Sequence, residues 1–291
     1  MNEKSCRFGD ESHLAGIVTE PEVPPGATRG ALILASAGLV PKFGPFRLYT
    51  EIARRLAREG TVTLRFDLDG IGDSQHAHAG LGLKERTARD MRSAVDFIRA
   101  HYDIGDVVLG GLCSGAEDSF RAAEDDARVR GVVMIDPFAY RTAGFMPRHV
   151  LHRAVRRTRR ALGLYQPIPP ARTAASDGGR RVVNYSYMSR DESKRILSAL
   201  IARRARAHFI YTGGAREVFN HPGQLKAMFG QIDFERLVTV DHFPELEHTQ
   251  MLESDRRCIV DAVSRRLRWV ASESDAPVER ASGMVQRRAT S

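Results

Sequence analysis

Cysteine is scarce: Cys6, Cys113 and Cys258 are the only three in 291 residues, and no two are near in sequence. An odd, small number excludes a disulfide framework and fits a reducing compartment. No C-x-x-C or H-E-x-x-H spacing occurs, which argues against a structural zinc site of those kinds. Long apolar runs are also missing. No stretch of eighteen or more apolar residues is present, so no membrane span is expected. The segment Met1 to Asp10 is polar and lacks the apolar middle of a signal peptide. A cytoplasmic protein is the expectation. There is no internal repeat and no nucleic-acid-binding motif.

What is present is an ordinary globular composition, 42% hydrophobic, with a net charge of +8. The length allows one large α/β domain with an insertion, or two small domains. Continuous apolar runs alternate with segments of helical periodicity, the signature of a mostly parallel sheet covered by helices on both faces. Strands are expected at His13 to Glu20, Ala31 to Ala37, Thr61 to Asp67, Asp106 to Leu112, Val129 to Ile135, His208 to Thr212 and Leu237 to Phe243. Helices are expected at Phe46 to Arg58, Glu85 to Tyr102, Ser114 to Glu124, Pro147 to Leu162, Glu192 to Arg206, Pro222 to Phe229 and Thr249 to Val270.

The alternation breaks between Phe138 and Ser189, where an Arg-rich helix is followed by a Pro- and Gly-rich stretch. The expected organisation is therefore a core of residues 1–137 and 190–270, an inserted lid of residues 138–189, and a polar, disordered tail of residues 271–291.

The most informative segment is Gly111-Leu112-Cys113-Ser114-Gly115, at a strand-to-helix junction. It is the G-x-S-x-G pattern with cysteine in place of serine. A nucleophile at such a sharp turn needs small residues two before and two after it, so that strand and helix can pass closely. The helix that follows aims its N-terminus at Cys113, which favours a thiolate and a developing oxyanion. Ser114 is a rival nucleophile, but its flanking positions would be Leu112 and Ala116, and leucine is too large for the close approach. The bland alternative is a buried structural cysteine.

With the elbow stand three further blocks: Ser36-Ala37-Gly38-Leu39, Gly44-Pro45-Phe46-Arg47-Leu48-Tyr49, and Leu64 to Ser74, which reads Leu-Arg-Phe-Asp-Leu-Asp-Gly-Ile-Gly-Asp-Ser. Together they resemble the α/β-hydrolase superfamily, and within it are most similar to bacterial hydrolases of exosortase A and related biosynthetic clusters. The resemblance spans Ala31 to Val270 and is weakest over the lid. It implies an α/β-hydrolase fold and a triad in the order nucleophile, acid, histidine. His248 then stands where the general base belongs. The acid is expected after the strand ending at Thr212, where Glu217 is the candidate, with Asp136 as the alternative. Asp67 is expected to be structural. The oxyanion hole would use the backbone N–H groups of Leu39 and Ser114, with Gly38 letting the chain approach substrate.

Arg148, Arg153, Arg156, Arg157, Arg159 and Arg160 crowd the inserted segment. Arg153, Arg156, Arg157 and Arg160 fall at helical spacing and share a face. A solvated helix surface is one reading. The other is a dock, with Arg153 and Arg157 in contact with the phosphates of a phosphopantetheine arm, a coenzyme A tail or an acidic carrier protein. Tyr140, Phe145, Tyr165, Tyr185 and Tyr187 would line an apolar pocket beneath it or form its core. Nucleic acid is not an expected partner, since no aromatics interleave with the arginines. His76 and His78, in a loop, could suggest a metal, but solvated loop residues are the expected reading, and no metal or cofactor is implied.

These features predict an enzyme acting on a carboxylic ester or acyl thioester through an acyl-Cys113 intermediate. An acyltransferase using the same intermediate, or a non-catalytic binding protein of a biosynthetic cluster, are the alternatives. The substrate is a small acyl compound, free or carried on coenzyme A or a carrier protein. Nothing in the pattern selects an oligomeric state.

Overall fold

The computed structural model describes residues 1–22, 28, 30–163, 188–234 and 236–274. In chain order the strands are β1 (Asn2–Phe8), β2 (Leu14–Glu20), β3 (Ala31–Ala35), β4 (Val62–Phe66), β5 (Val107–Leu112), β6 (Val129–Ile135), β7 (Arg206–Thr212) and β8 (Val238–Phe243). The α-helices are α1 (Leu48–Ala57), α2 (Leu83–His101), α3 (Ser114–Asp125), α4 (Phe145–Ala161), α5 (Arg190–Ala202), α6 (Gln224–Phe229) and α7 (Glu253–Ser274). The strands form one sheet in the order β1-β2-β4-β3-β5-β6-β7-β8. From β4 to β8 every neighbouring pair is parallel, while β1 and β2 are antiparallel additions at one edge. This is the α/β-hydrolase fold.

Period-two alternation sorts the strand side chains to two buried layers. Ile33, Leu64, Leu109 and Phe209 pack on one face with α2, α3, α5 and α6, which contribute Val95, Phe120, Leu197 and Met228. Leu32, Val108 and Val133 pack on the other with Ile52 of α1 and Ile259 and Val263 of α7. Burial on both faces explains why the inner strands read as continuous apolar runs.

Most elements match the sequence reading within about two residues, and four differences have a clear local reason. The polar segment before Asp10 is a strand, because Asn2 through Phe8 pair in register with Glu20 through Leu14. The helix expected from Phe46 starts at Leu48, because Phe46 and Arg47 take positive φ values of 46° and 69° in a short 3-10 turn. Arg204, at φ 59°, stops α5 at Ala202. Gln250, at φ 46°, delays α7 to Glu253.

Of the expected lid, α4 is seen and Phe145 at its start is buried. Residues 164–187, with Tyr165, Tyr185 and Tyr187, lie outside the described residues. α7 runs to Ser274, so residues 271–274 of the expected disordered tail are helical, and 275–291 lie outside the described residues. Among the described residues, no helix is long and apolar enough to cross a membrane.

Candidate active site

β5 ends at Leu112 and α3 begins at Ser114, so Cys113 alone makes the turn. Its backbone sits at φ 53°, ψ −117°, a strained conformation for a residue with a Cβ. Two glycines make the turn fit. A Cβ on Gly111 would lie 2.5 Å from the backbone carbon of Gly115, and one on Gly115 would lie 2.9 Å from the carbonyl oxygens of Ala35 and Ser36. The Cys113 N–H is tied to the Ile135 carbonyl at 2.8 Å. The Leu112 N–H donates to the buried Tyr49 hydroxyl at 2.7 Å. Cys113 is exposed, whereas Ser114 is only 3% exposed. The rival serine is thus turned into the protein, and the cysteine faces solvent.

His248 lies between β8 and α7; its ring hydrogen-bonds Asp136 and interacts with the Cys113 thiol. The Asp136 contact is 2.8 Å, from Nδ1 to Oδ2. With Nδ1–H donating to the carboxylate, Nε2 is left to serve the thiol. The hydrogen bonds to Asp136 and Cys113 outweigh the desolvation of the ring and push the imidazole pKa up to about 10.

Asp136 is the acid that the fold brings to His248. It follows β6 directly, at φ 44°, and its N–H binds the Ile210 carbonyl. Its side chain is 3% exposed. Oδ1 accepts from the Thr212 N–H at 2.6 Å, and Oδ2 accepts from the Thr212 hydroxyl at 2.5 Å. Three donors converge on one buried carboxylate and fix its direction.

Glu217, expected as the acid, is not brought to His248. Its side chain is 67% exposed, and its carboxylate stands 3.9 Å from His149 of α4. The cause lies just after β7. Gly213 to Ala215 form a 3-10 turn that runs beneath the histidine, so close that a Cβ on Gly214 would lie 2.4 Å from the His248 Cβ. The chain passes the base before Glu217 is reached. Arg216 does not capture Glu217 either; its Nε donates to the Gly213 carbonyl.

The loop expected to carry the second oxyanion donor closes between Ala37 and Val40, which exchange both backbone hydrogen bonds. Gly38 within it takes φ 55°, and Leu39 is 69% exposed. A Cβ on Gly38 would lie 3.9 Å from the Ser114 hydroxyl, so this loop and the elbow are neighbours. Asp67 is structural, as expected. Its buried carboxylate accepts from the Lys42 N–H at 2.6 Å, the Lys42 Nζ at 2.7 Å and the Asp73 N–H at 3.0 Å, anchoring the chain just beyond Leu39.

Residues 45–255 match the family model described as serine aminopeptidase, S33. The chain belongs to this family of α/β hydrolases. It is therefore a hydrolase-family enzyme of the serine-hydrolase type, with cysteine at the position of the turn. No curated protein matches it. Among solved structures it is similar to an α/β serine hydrolase from Xanthomonas campestris described as without lid (TM-score 0.54, 15% identity, 94% of this chain and 95% of that one). It is also similar to a Pyrococcus furiosus esterase (0.58, 13%, 92% and 91%). A third likeness is to a Mycobacterium smegmatis proline iminopeptidase (0.60, 14%, 94% and 100%). At these identities the likenesses concern the fold.

Arg141, Arg148, Arg190 and His221 line a cleft of about 540 Å³ between the start of α4, α5 and the start of α6. Each arginine is oriented through its Nε: Arg141 to the Glu217 carbonyl, Arg148 to the Asn220 side-chain oxygen, Arg190 to the Met228 carbonyl. None of the three has a carboxylate partner among the described residues. Sequence reading missed this group, because its members come from three separate segments. Arg153 and Arg157, proposed as the dock, are exposed on α4.

Proposed function

We propose that the protein is an acyl hydrolase, an esterase or thioesterase, with Cys113 as nucleophile, His248 as base and Asp136 as orienting acid. The reading rests chiefly on one observation: an exposed cysteine at the strained elbow shares a histidine with a buried aspartate. His248 accepts the Cys113 thiol proton. The Cys113 sulfur attacks the substrate carbonyl, and the N–H groups of Leu39 and Ser114 receive the oxyanion. His248 returns its proton to the leaving alcohol or thiol as the carbon–oxygen or carbon–sulfur bond breaks. Water, deprotonated by His248, then attacks the acyl-thioester, and collapse expels the Cys113 thiolate beside a protonated His248. Asp136 keeps Nδ1–H in place throughout.

The arginine cleft supports a substrate carrying an anionic handle, such as an acyl thioester of coenzyme A or of a carrier-bound phosphopantetheine. Arg153 and Arg157 are exposed further along the same helix as Arg148. In this reading α4 belongs to an insertion in the core.

The test compares turnover of p-nitrophenyl esters, acyl-CoA and the same acyl groups on a short neutral thiol, for wild type, Cys113→Ala and Arg190→Gln. The expected result is turnover lost in Cys113→Ala, and a preference for acyl-CoA that Arg190→Gln removes. Full turnover by Cys113→Ala would refute the nucleophile. Equal rates on charged and neutral thioesters would refute the anionic handle.

A further inference from the structure

A second cluster of reactive side chains shares no residue with the triad. His13 at the start of β2, Asp69 and His78 in the segment after β4, and Asp90 of α2 each offer one ligand atom, all within 4.8 Å of one another. We propose that these four residues bind a divalent transition-metal ion of the zinc class. The ion would pin the loop after β4 to the antiparallel edge and to α2.

The donor set is two imidazoles and two carboxylates, which suits zinc and its neighbours rather than calcium or magnesium. Ligand atoms around a tetrahedral zinc stand roughly 3.4 Å apart, given bond lengths of about 2.0–2.2 Å. His13 Nε2 and Asp90 Oδ1 are 3.3 Å apart, and His78 Nδ1 and Asp69 Oδ2 are 3.0 Å apart. The rings of His13 and His78 stand edge to face, at 87°.

The hydrogen bonds around the cluster fix which atoms point inward. His13 Nδ1 lies 2.8 Å from the Asp10 carbonyl oxygen, which can only accept, so Nδ1 carries a proton. In the neutral ring Nε2 is then a bare lone pair, and it faces a carboxylate oxygen, another acceptor. His13 is 2% exposed and Asp90 1%, so bulk water does not separate them. A cation between the two acceptors resolves the conflict. His78 has the matching arrangement: Nδ1 faces Asp69, and Nε2 reaches the Asp10 carboxylate at 3.3 Å. A ligating histidine held from behind by a carboxylate or carbonyl is the usual outer support of a metal site. Asp69 N–H donates to Asp90 Oδ2 at 2.7 Å, and His78 N–H to Asp69 Oδ2 at 2.9 Å, orienting both carboxylates. His76 Nδ1 meets the other Asp69 oxygen at 2.5 Å, and Arg86 stands 3.7 Å from it. The rival is a metal-free cluster in which His13 is an imidazolium paired with Asp90. His78 is in either case not the solvated loop residue expected from sequence, since its side chain is 13% exposed.

The test uses the untagged full-length chain, stripped with a chelator and titrated with cobalt and with zinc. Metal is counted by mass spectrometry, and melting is followed by circular dichroism. Expected are one cobalt per chain, visible d–d bands without thiolate-to-cobalt charge transfer, and a melting temperature raised by zinc. His78→Ala and the near-isosteric Asp90→Asn should weaken cobalt binding about tenfold or more. Both variants should show the wild-type far-ultraviolet spectrum at 25 °C. Three outcomes overturn the proposal: no bound cobalt in wild type, a thiolate charge-transfer band placing the ion on Cys113 or another cysteine, or undiminished binding in both variants.

Discussion

The separation of Asp136 from Glu217 as partner of His248 is a question about single side chains, and it makes a sharp prediction. Asp136→Asn keeps the shape of the group but removes the charge that holds Nδ1–H, and should lower kcat/KM by about two to four orders of magnitude. Glu217→Gln, altering an exposed carboxylate 3.9 Å from His149, should leave kcat/KM unchanged. Steady-state kinetics on one ester checks both.

The raised pKa of His248 has a signed consequence. Deacylation needs the neutral imidazole as base. A folded-state pKa above the ordinary value means that the neutral fraction grows only as pH rises. Single-turnover deacylation of acyl-Cys113 should therefore accelerate from neutral pH upward. In Asp136→Asn, where the largest cause of the shift is gone, the profile should move to lower pH.

Cys113 and His248 were legible in the sequence because each is marked locally, by the glycines around one and the strand-to-helix junction beside the other. Which carboxylate meets His248 was not, because two carboxylates follow successive strands. Their difference is set by a contact between distant segments, Gly214 beneath His248.

At the scale of elements, the site depends on how closely a strand, a helix and a loop can pass. Gly111→Ala would drive a Cβ to 2.5 Å from the Gly115 backbone carbon, where no flexible side chain can yield. It should cost about 1–3 kcal/mol and displace Cys113, as read by denaturant unfolding and thiol titration. Gly214→Ala acts on the base instead, and should reduce kcat far more than it reduces the melting temperature.

Tyr49→Phe removes the acceptor of the Leu112 N–H, leaving a buried donor unpaired behind the nucleophile; a loss of about 1–3 kcal/mol is expected. The block containing Tyr49 was visible as a motif, and its role was not. Nothing in a helix pattern reveals that one hydroxyl crosses to the end of β5. Most strands and helices were readable within a few residues, because burial on both faces leaves a clear apolar signal. Three of the misplaced helix ends fall beside non-glycine residues with positive φ, Arg47, Arg204 and Gln250, whose side chains announce no turn.

Across the whole molecule, the least legible part is the antiparallel edge. The residues of β1 look like a polar terminus, with an exposed or intermediate surface at all but Phe8. Their strand character comes from β2. Glu3 carries more than pairing: it meets Arg65 at 3.1 Å and Arg54 at 2.8 Å, and Arg65 is 1% exposed. Thr50 accepts a further hydrogen bond from Arg65. Glu3→Gln would leave a buried guanidinium without its carboxylate, with an expected loss of about 3 kcal/mol. The hydrogen bond from Arg54, helped by the charge of Arg65, holds the Glu3 carboxyl below its ordinary range. That contribution is therefore present above the ordinary carboxylate range and is lost as pH falls through the folded-state value. Wild type and Glu3→Gln should converge in melting temperature at acid pH and differ at neutral pH.

Intact mass after brief incubation with an acyl-CoA or p-nitrophenyl ester tests the Cys113 acyl-enzyme most directly. The predicted result is one acyl mass on wild type that maps to Cys113, persists longer at lower pH, and is absent from Cys113→Ala. An acyl mass that survives in Cys113→Ala, or steady turnover with no acyl mass on wild type at any pH, would contradict it.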